Sequence, residues 1–178
     1  MKFNTTYKEV HMKFRKTTLQ DIDNVMKIIN EAKEYFKENK IDQWQNGYPN
    51  SDTIYTDIKN NSSYVLENEN KVLATSMVSF EEDKTYKHIY NGKWINNSDY
   101  AVIHRIAVSE KAKGTGIASI IIKKVENLSK ENKVSSIRVD THKDNISMQR
   151  LLEKNGFKYC GIIYLEDGSE RIAFEKLI

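Results

Sequence analysis

A chain of 178 residues, 39% hydrophobic and 30% charged, is long enough for one soluble domain with a sizeable core, and no linker, charge block or repeat divides it. Lys and Arg number 28 against 25 Asp and Glu, and the resulting net charge of +3 gives no ground for nucleic acid or an anionic membrane surface as the main partner. A single cysteine, Cys160, excludes an internal disulfide and a cysteine zinc cage, and no apolar run reaches the ~18 residues of a membrane span.

The expected organisation is a single domain over residues 1–178, with residues 1–10 as a leader. Met1 to Tyr7 lacks the apolar stretch of a signal peptide, so the expected location is the cytoplasm. His11 to Thr17 reads as a strand. Thr18, with Asp21 three residues on, opens a helix whose apolar face is Ile22, Val25, Met26, Ile29, Ala32 and Phe36. Trp44 to Asn50 is a turn, and Ser51 or Asp52 is the expected cap of a short second helix ending near Ile58. Ser63–Glu67 and Val72–Phe80 form a hairpin across Asn68-Glu69-Asn70. Residues 81–99 are a long polar and aromatic connection, a loop or insertion. Tyr100–Val108, apolar except for His104 and Arg105, suits a central strand covered on both faces. Ile117, Ile120, Ile121, Val125 and Leu128 mark a third helix. Val134–Thr141 is the next strand and Asp144–Lys154 a fourth helix, closed by Gly156 at the position after its C-cap. A final hairpin joins Phe157–Leu165 to Glu170–Lys176. This order gives an α/β (α+β) fold with a mixed sheet and helices on both faces.

The chain has only 7 glycines and 1 proline, so the pair in Gly114-Thr115-Gly116 stands out. It follows a buried strand and a polar loop, Ser109–Lys113, and opens a helix. Glycines let backbone N–H groups approach a ligand, and a helix N-terminus adds roughly half a positive charge. Together with Lys111 and Lys113 they suit a phosphate, although a glycine turn that merely joins strand to helix has the same residues. A P-loop is excluded, because Ile117-Ala118 follow Gly116 where Lys-Ser/Thr is required. A dinucleotide fingerprint ranks second. Ser119 replaces its third glycine, five residues separate Val108 from Gly114, and Asp140 stands where the acidic partner would be.

The residues Ile103-His104-Arg105-Ile106-Ala107-Val108, then Lys111-Ala112-Lys113-Gly114-Thr115-Gly116-Ile117-Ala118, resemble the acetyl-CoA signature of the Gcn5-related N-acetyltransferase (GNAT) superfamily. Lys111 occupies the Arg/Gln position of that family's Arg/Gln-x-x-Gly-x-Gly/Ala pattern. The resemblance continues in Asp144-Asn145 and in Leu151-Leu152-Glu153-Lys154-Asn155-Gly156-Phe157. It implies a mostly antiparallel sheet with splayed strands 4 and 5, and acetyl-CoA as co-substrate with no metal. It also implies a pyrophosphate site over Lys111, Lys113, Gly114, Thr115, Gly116, Ile117 and Ala118. Pantetheine would pair with Ile106, Ala107 and Val108 and meet Asn145. The implied activity is transfer of acetyl to a primary amine of a small molecule or peptide, by direct attack without an enzyme-bound intermediate.

The attacking amine must be neutral, which calls for a general base. His104 is the candidate, since imidazole titrates near neutrality and some family members place a histidine there. A histidine hydrogen-bonded within a packed sheet has the same sequence. Strand alternation sets His104 on the face of Ile106 and Val108, opposite Arg105. One departure stands out: Leu152 occupies the position where the family often carries a tyrosine to protonate the CoA thiolate. This keeps open a non-catalytic acyl-CoA-binding module, with a dinucleotide-dependent oxidoreductase as the remaining alternative. Tyr159 and Tyr164 are substitutes for the missing acid only by reach, Cys160 has no base beside it in sequence, and His142 reads as an outer residue or a turn. Trp44, Tyr48, Tyr86, Tyr90 and Trp94 either wall an amine pocket, with Glu81, Glu82 or Asp83 as counter-charge, or anchor loops. The acceptor and the oligomeric state, a homodimer included, are left open.

Overall fold

A computed structural model of the chain describes residues 12–178; the leader and His11, the expected start of the first strand, lie outside the described residues. In chain order the elements are β1 (Met12–Lys16), α1 (Ile22–Glu38), α2 (Ser51–Lys59), β2 (Ser63–Asn68), β3 (Lys71–Ser79), β4 (Tyr100–Val108), α3 (Ile117–Glu131), β5 (Ser136–Thr141), α4 (Ile146–Lys154), β6 (Lys158–Tyr164) and β7 (Glu170–Leu177). The seven strands form a sheet in the order β1-β2-β3-β4-β5-β7-β6, in which β4 and β5 are the parallel pair and β1·β2, β2·β3, β5·β7 and β6·β7 are antiparallel. This is the mixed sheet that the element order predicts, mostly antiparallel as the family resemblance implies. It is not the doubly wound parallel sheet of a dinucleotide fold.

The described residues group into two compact units. One comprises residues 12–39, 44–77 and 105–121. Its core is Val25 and Ile29 of α1, Ile54 of α2 and Val65 of β2, with Ile22, Met26, Ile58 and Val72 packed around them. Helix α1 enters through a short 3-10 turn, Leu19–Asp21, because Thr18 N–H donates to Asp21 Oδ2 at 2.8 Å in the capping box that the sequence predicts. The cap of α2 is Asn50, not Ser51 or Asp52. Its Oδ1 accepts from Thr53 N–H at 2.9 Å, which a serine one residue later in the helix could not do.

Asp21 also accepts from Arg15 Nη1 and Nη2 at 2.8 and 3.0 Å, and Arg15 Nε donates to Glu67 at 2.8 Å. The Arg15 hydrogen bond, opposed by burial and supported by Thr18, holds the Asp21 carboxyl at about 2. A carboxyl depressed on folding stabilises the fold above its unfolded pKa near 4, and that contribution is lost as pH falls through about 2. We therefore expect Asp21→Asn to be less stable than the parent at pH 6 by on the order of 1 kcal/mol, after allowance for solvent screening. Urea unfolding should show the gap closing between about pH 4 and pH 2. A gap independent of pH would assign it to the neutral hydrogen bonds instead.

The other unit comprises residues 40–43, 78–104 and 122–178. Tyr86, Val102, Ile163 and Ala173 form its described core, with Ile89, Trp94, Tyr100 and Leu165 against them. The 81–99 connection is anchored here. It contains a 3-10 turn, Lys84–Tyr86, and Tyr90 bridges to Ile162 of β6 by hydrogen bonds of 2.8 Å in both directions. Strand β5 starts at Ser136, two residues later than predicted. Val134 N–H still closes α3 onto Ser129 O, and Lys133 turns with φ 59°. Helix α4 ends as predicted, with Gly156 at φ 85°. Gly156 N–H reaches Glu153 O and Phe157 N–H reaches Leu152 O, both at 3.0 Å.

Candidate active site

The residues singled out in the sequence fall into two groups, one in each unit. In the first unit β4 runs into the loop that opens α3. A 3-10 turn, Glu110–Ala112, is followed by extended Lys113, then by Gly114 at φ 76° and Gly116 at φ 87°. Both glycines are required by backbone conformation, since a Cβ at either would meet nothing within 4 Å. The space above them is open, as a ligand approaching the backbone needs. Lys113 N–H finds Glu110 O, and Ser119 N–H finds Gly116 O at 3.0 Å. Among the described residues, the intervening N–H groups of residues 114–118 have no backbone acceptor, as expected where a helix begins. Thr115 Oγ1 turns inward to Ala112 O at 2.6 Å. Lys111 is exposed, and Lys113 Nζ lies 4.6 Å from the Tyr35 ring centroid. Donors, open space and two cations fit an anionic group such as a pyrophosphate.

Arg105 begins this unit's share of β4 and has φ 54°, an unusual value for a non-glycine residue in a strand. Its guanidinium pairs with both oxygens of Asp57 on α2, at 3.0 and 2.7 Å, and also donates to Tyr48 Oη. The predicted two-residue alternation therefore does not run through Arg105: the left-handed backbone there interrupts the pleat that sets His104 and Ile106 on a common face. Ile106 and Ala107 are buried and Val108 is partly exposed.

In the second unit β4 pairs with β5 only over Tyr100↔Ser136, Ala101↔Ile137 and Val102↔Arg138, although both strands continue. His104 stands two residues past the last pair, and continuing the register brings it beside Asp140. Its Nδ1 is 3.7 Å from Asp140 Oδ1, and its Nε2 is 2.8 Å from Asp83 Oδ2. Asp83 Oδ1 accepts from Thr85 N–H at 2.8 Å and from the Thr85 hydroxyl at 2.6 Å. Burial pushes the Asp83 carboxyl up, but hydrogen bonds from His104 and Thr85 and the imidazole charge prevail and hold it at about 2. Tyr86, 1% exposed, donates to Asp140 Oδ1 at 2.7 Å. Burial first, and then the Asp140 charge, push its phenol well above the ordinary range.

The remaining sequence candidates separate clearly. Asn145 is buried at the start of α4, where Oδ1 accepts from Met148 N–H at 3.1 Å and Nδ2 donates to Gln43 Oε1 at 3.0 Å. Leu152 is fully buried apolar core. His142 is a turn residue whose Nδ1 accepts from Asp144 N–H at 3.2 Å. Cys160 is buried, and desolvation raises its thiol, which opposes a nucleophilic role. Tyr159 packs edge-on against Phe174, and Tyr164 likewise against Tyr90. Tyr86 is core rather than pocket wall, and Trp94 anchors the connection by donating to Tyr86 O at 2.9 Å. Of the three acidic residues suggested as counter-charges, Asp83 is engaged by His104, while Glu81 and Glu82 remain exposed. Asp140, read from sequence only as a dinucleotide partner, is held by Tyr86 and faces His104. The β4–β5 register, which sequence does not supply, is the signal that finds it.

The family model for the acetyltransferase (GNAT) family matches residues 25–157. A GNAT family acetyltransferase from Streptococcus agalactiae is 33% identical, with a TM-score of 0.85 over 94% of this chain and 95% of that one. A GNAT family acetyltransferase from Listeria monocytogenes shares the fold at 19% identity and a TM-score of 0.71, over 94% of this chain and 95% of that one. The PaiA N-acetyltransferase from Thermoplasma acidophilum, solved in complex with coenzyme A, shares it at 15% identity and a TM-score of 0.68, over 94% and 99%. No curated protein matches the sequence. Family model and structural relatives agree with the motifs first read around β4 and α4, and on that basis the chain belongs to the GNAT acetyltransferase family.

Proposed function

We propose that this protein is an N-acetyltransferase that takes acetyl from acetyl-CoA and passes it to a primary amine, of a small molecule or a peptide, by direct attack in a ternary complex. The observation that carries this reading is His104, placed between two carboxylates just where β4 and β5 stop pairing. A histidine held in this way is a proton acceptor for the incoming amine. Lys111, Lys113 and the backbone of Gly114, Thr115, Gly116, Ile117 and Ala118 would hold the pyrophosphate. Ile106, Ala107 and Val108 would pair with pantetheine, and backbone donors there would stabilise the oxyanion. Asn145, which caps α4 and donates to Gln43, has a second Nδ2 hydrogen that a cofactor contact would use. Acetyl-CoA supplies the activated thioester, and no metal, nucleic acid or membrane enters the scheme. Buried Leu152 cannot protonate the thiolate, so solvent serves as the acid. Free-thiol release from acetyl-CoA across a panel of amines tests the activity. Silence over a broad panel, with acetyl-CoA still bound, would instead establish the binding module that Leu152 favours.

The glycine loop gives a separate expectation. Gly114→Val places a β-branched residue at φ 76° and should cost about 1–2 kcal/mol in backbone strain. A Cβ there has no neighbour within 4 Å, so the fold should survive. Thermal denaturation with acetyl-CoA at 100 times the parent's Kd should show the parent gaining about 2.7 kcal/mol and the variant gaining almost none. Retained stabilisation would place the phosphates elsewhere.

A further inference from the structure

Asp83 lies in the 81–99 connection, outside the family's motifs, yet it makes the shortest contact to the candidate base. Both of its oxygens are committed. Oδ1 takes two hydrogen bonds from Thr85, which fix the carboxylate plane, and Oδ2 then meets His104 Nε2 at 2.8 Å. An ionised carboxylate only accepts, so the hydrogen in this contact must be on Nε2. On the other side of the ring, Asp140 Oδ1 stands 3.7 Å from Nδ1, too far for a hydrogen bond, and it already accepts from Tyr86. The groups that face His104 are thus Asp83 from the connection, Asp140 from β5 and the Tyr86 ring at 6.0 Å. Tyr100 completes the setting, its hydroxyl accepting from Asp83 N–H at 3.3 Å.

We infer that Asp83 is a positioning residue that locks His104 as the Nε2–H tautomer and thereby makes Nδ1 the atom that accepts the proton. The lock rests on this geometry alone; its kinetic consequence rests on the acetyl-transfer reading. In the step itself an N–H bond of the substrate ammonium breaks and an N–H bond forms at Nδ1. The neutral amine is released to attack, and the positive charge moves to an imidazolium. That cation is flanked by Asp83 on Nε2–H and by Asp140 on the new Nδ1–H. Tyr86 keeps Asp140 Oδ1 occupied in the resting state, so it does not draw the ring into the opposite tautomer.

The test is Asp83→Asn, examined by imidazole nitrogen NMR on histidine-labelled full-length protein and by steady-state kinetics. The His104 signals are assigned by their loss in His104→Gln. The parent should show His104 as a single Nε2–H tautomer at alkaline pH. In Asp83→Asn the amide can donate to Nε2 as well as accept from it, so the ring should become a mixture or reverse. The kcat should fall at least tenfold with the KM for acetyl-CoA unchanged. Thr85→Val leaves the charge and the backbone N–H bond but removes the hydroxyl bond to Oδ1, and it should give a smaller change in the same direction, covering the case in which Asp83→Asn does not fold. A parent-like tautomer in folded Asp83→Asn overturns the inference, as does an altered tautomer with undiminished kcat. A tautomer that depends on Asp83 in a protein silent toward every amine would support the lock and overturn the acetyl-transfer reading.

Discussion

His104→Ala should lower kcat by roughly 10²–10⁴-fold, the usual contribution of a positioned general base. The KM for acetyl-CoA should change little, because the segment of residues 111–118 proposed to hold the pyrophosphate includes neither His104 nor its carboxylate partners. The pH profile is the sharper readout. A base works only when deprotonated, so kcat in the parent should rise with pH, and that rise should vanish in the variant. His104→Gln separates chemistry from structure. Its amide can still donate to Asp83, so stability should stay near that of the parent while activity falls as far as in His104→Ala. Equal kinetics and an unchanged pH profile in both variants would return His104 to the packed-sheet role that its sequence also allowed. Loss of stability in His104→Ala with parent-like activity in His104→Gln would lead to the same conclusion.

The elements were legible wherever one residue type dictates local geometry. Thr18 with Asp21, Gly156 after α4, and the Gly114–Gly116 pair each announce a terminus or turn that the backbone then adopts. The apolar spacing of α1, α3 and β4 located the core for the same reason. What stayed hidden depends on pairing between distant residues. Asp140 becomes part of the site only because β5 lies parallel to β4 with Tyr100 opposite Ser136, a register set by the whole sheet. Asp83 had a faint local mark, since an Asp two residues before a Thr can fold back onto its N–H, but nothing nearby says that its other oxygen meets His104. Arg105 misled the strand reading: alternation assumes a regular pleat, and its φ of 54° is sustained by Asp57 on α2, 48 residues earlier. Leu152, read as a departure from the family pattern, is completely buried, a packing residue with no proton to give.

The other large effect concerns Arg138 of β5, which the sequence reading did not single out. It stands opposite Glu175 in the β5·β7 ladder, and its Nε donates to Glu175 Oε1 at 3.0 Å. Both side chains are buried, at 5% and 0% exposed. Ser136 donates to the same Glu175 oxygen at 2.7 Å, and Ile95 N–H donates to the other. The guanidinium lies 4.2 Å from the Trp94 ring centroid and 3.9 Å from that of Tyr100, and its Nη2 donates to Asn96 O at 2.7 Å. Arg138→Ala would leave Glu175 charged and without its cation inside the protein, and should cost about 3–5 kcal/mol in urea unfolding. Arg138→Lys should recover only part, since an ammonium offers neither the planar fork nor the stacking surface. Arg138→Met combined with Glu175→Leu should restore much of the loss, because it removes both charges together. If the double variant were as unstable as Arg138→Ala, the stacking on Trp94 and Tyr100 would outweigh the ion pair. Trp94 and Asn96 belong to the same connection as Asp83, so Arg138 also fixes the far end of the segment that presents Asp83 to His104. At temperatures where Arg138→Lys remains fully folded, its kcat should therefore fall below that of the parent, while its stabilisation by acetyl-CoA stays intact.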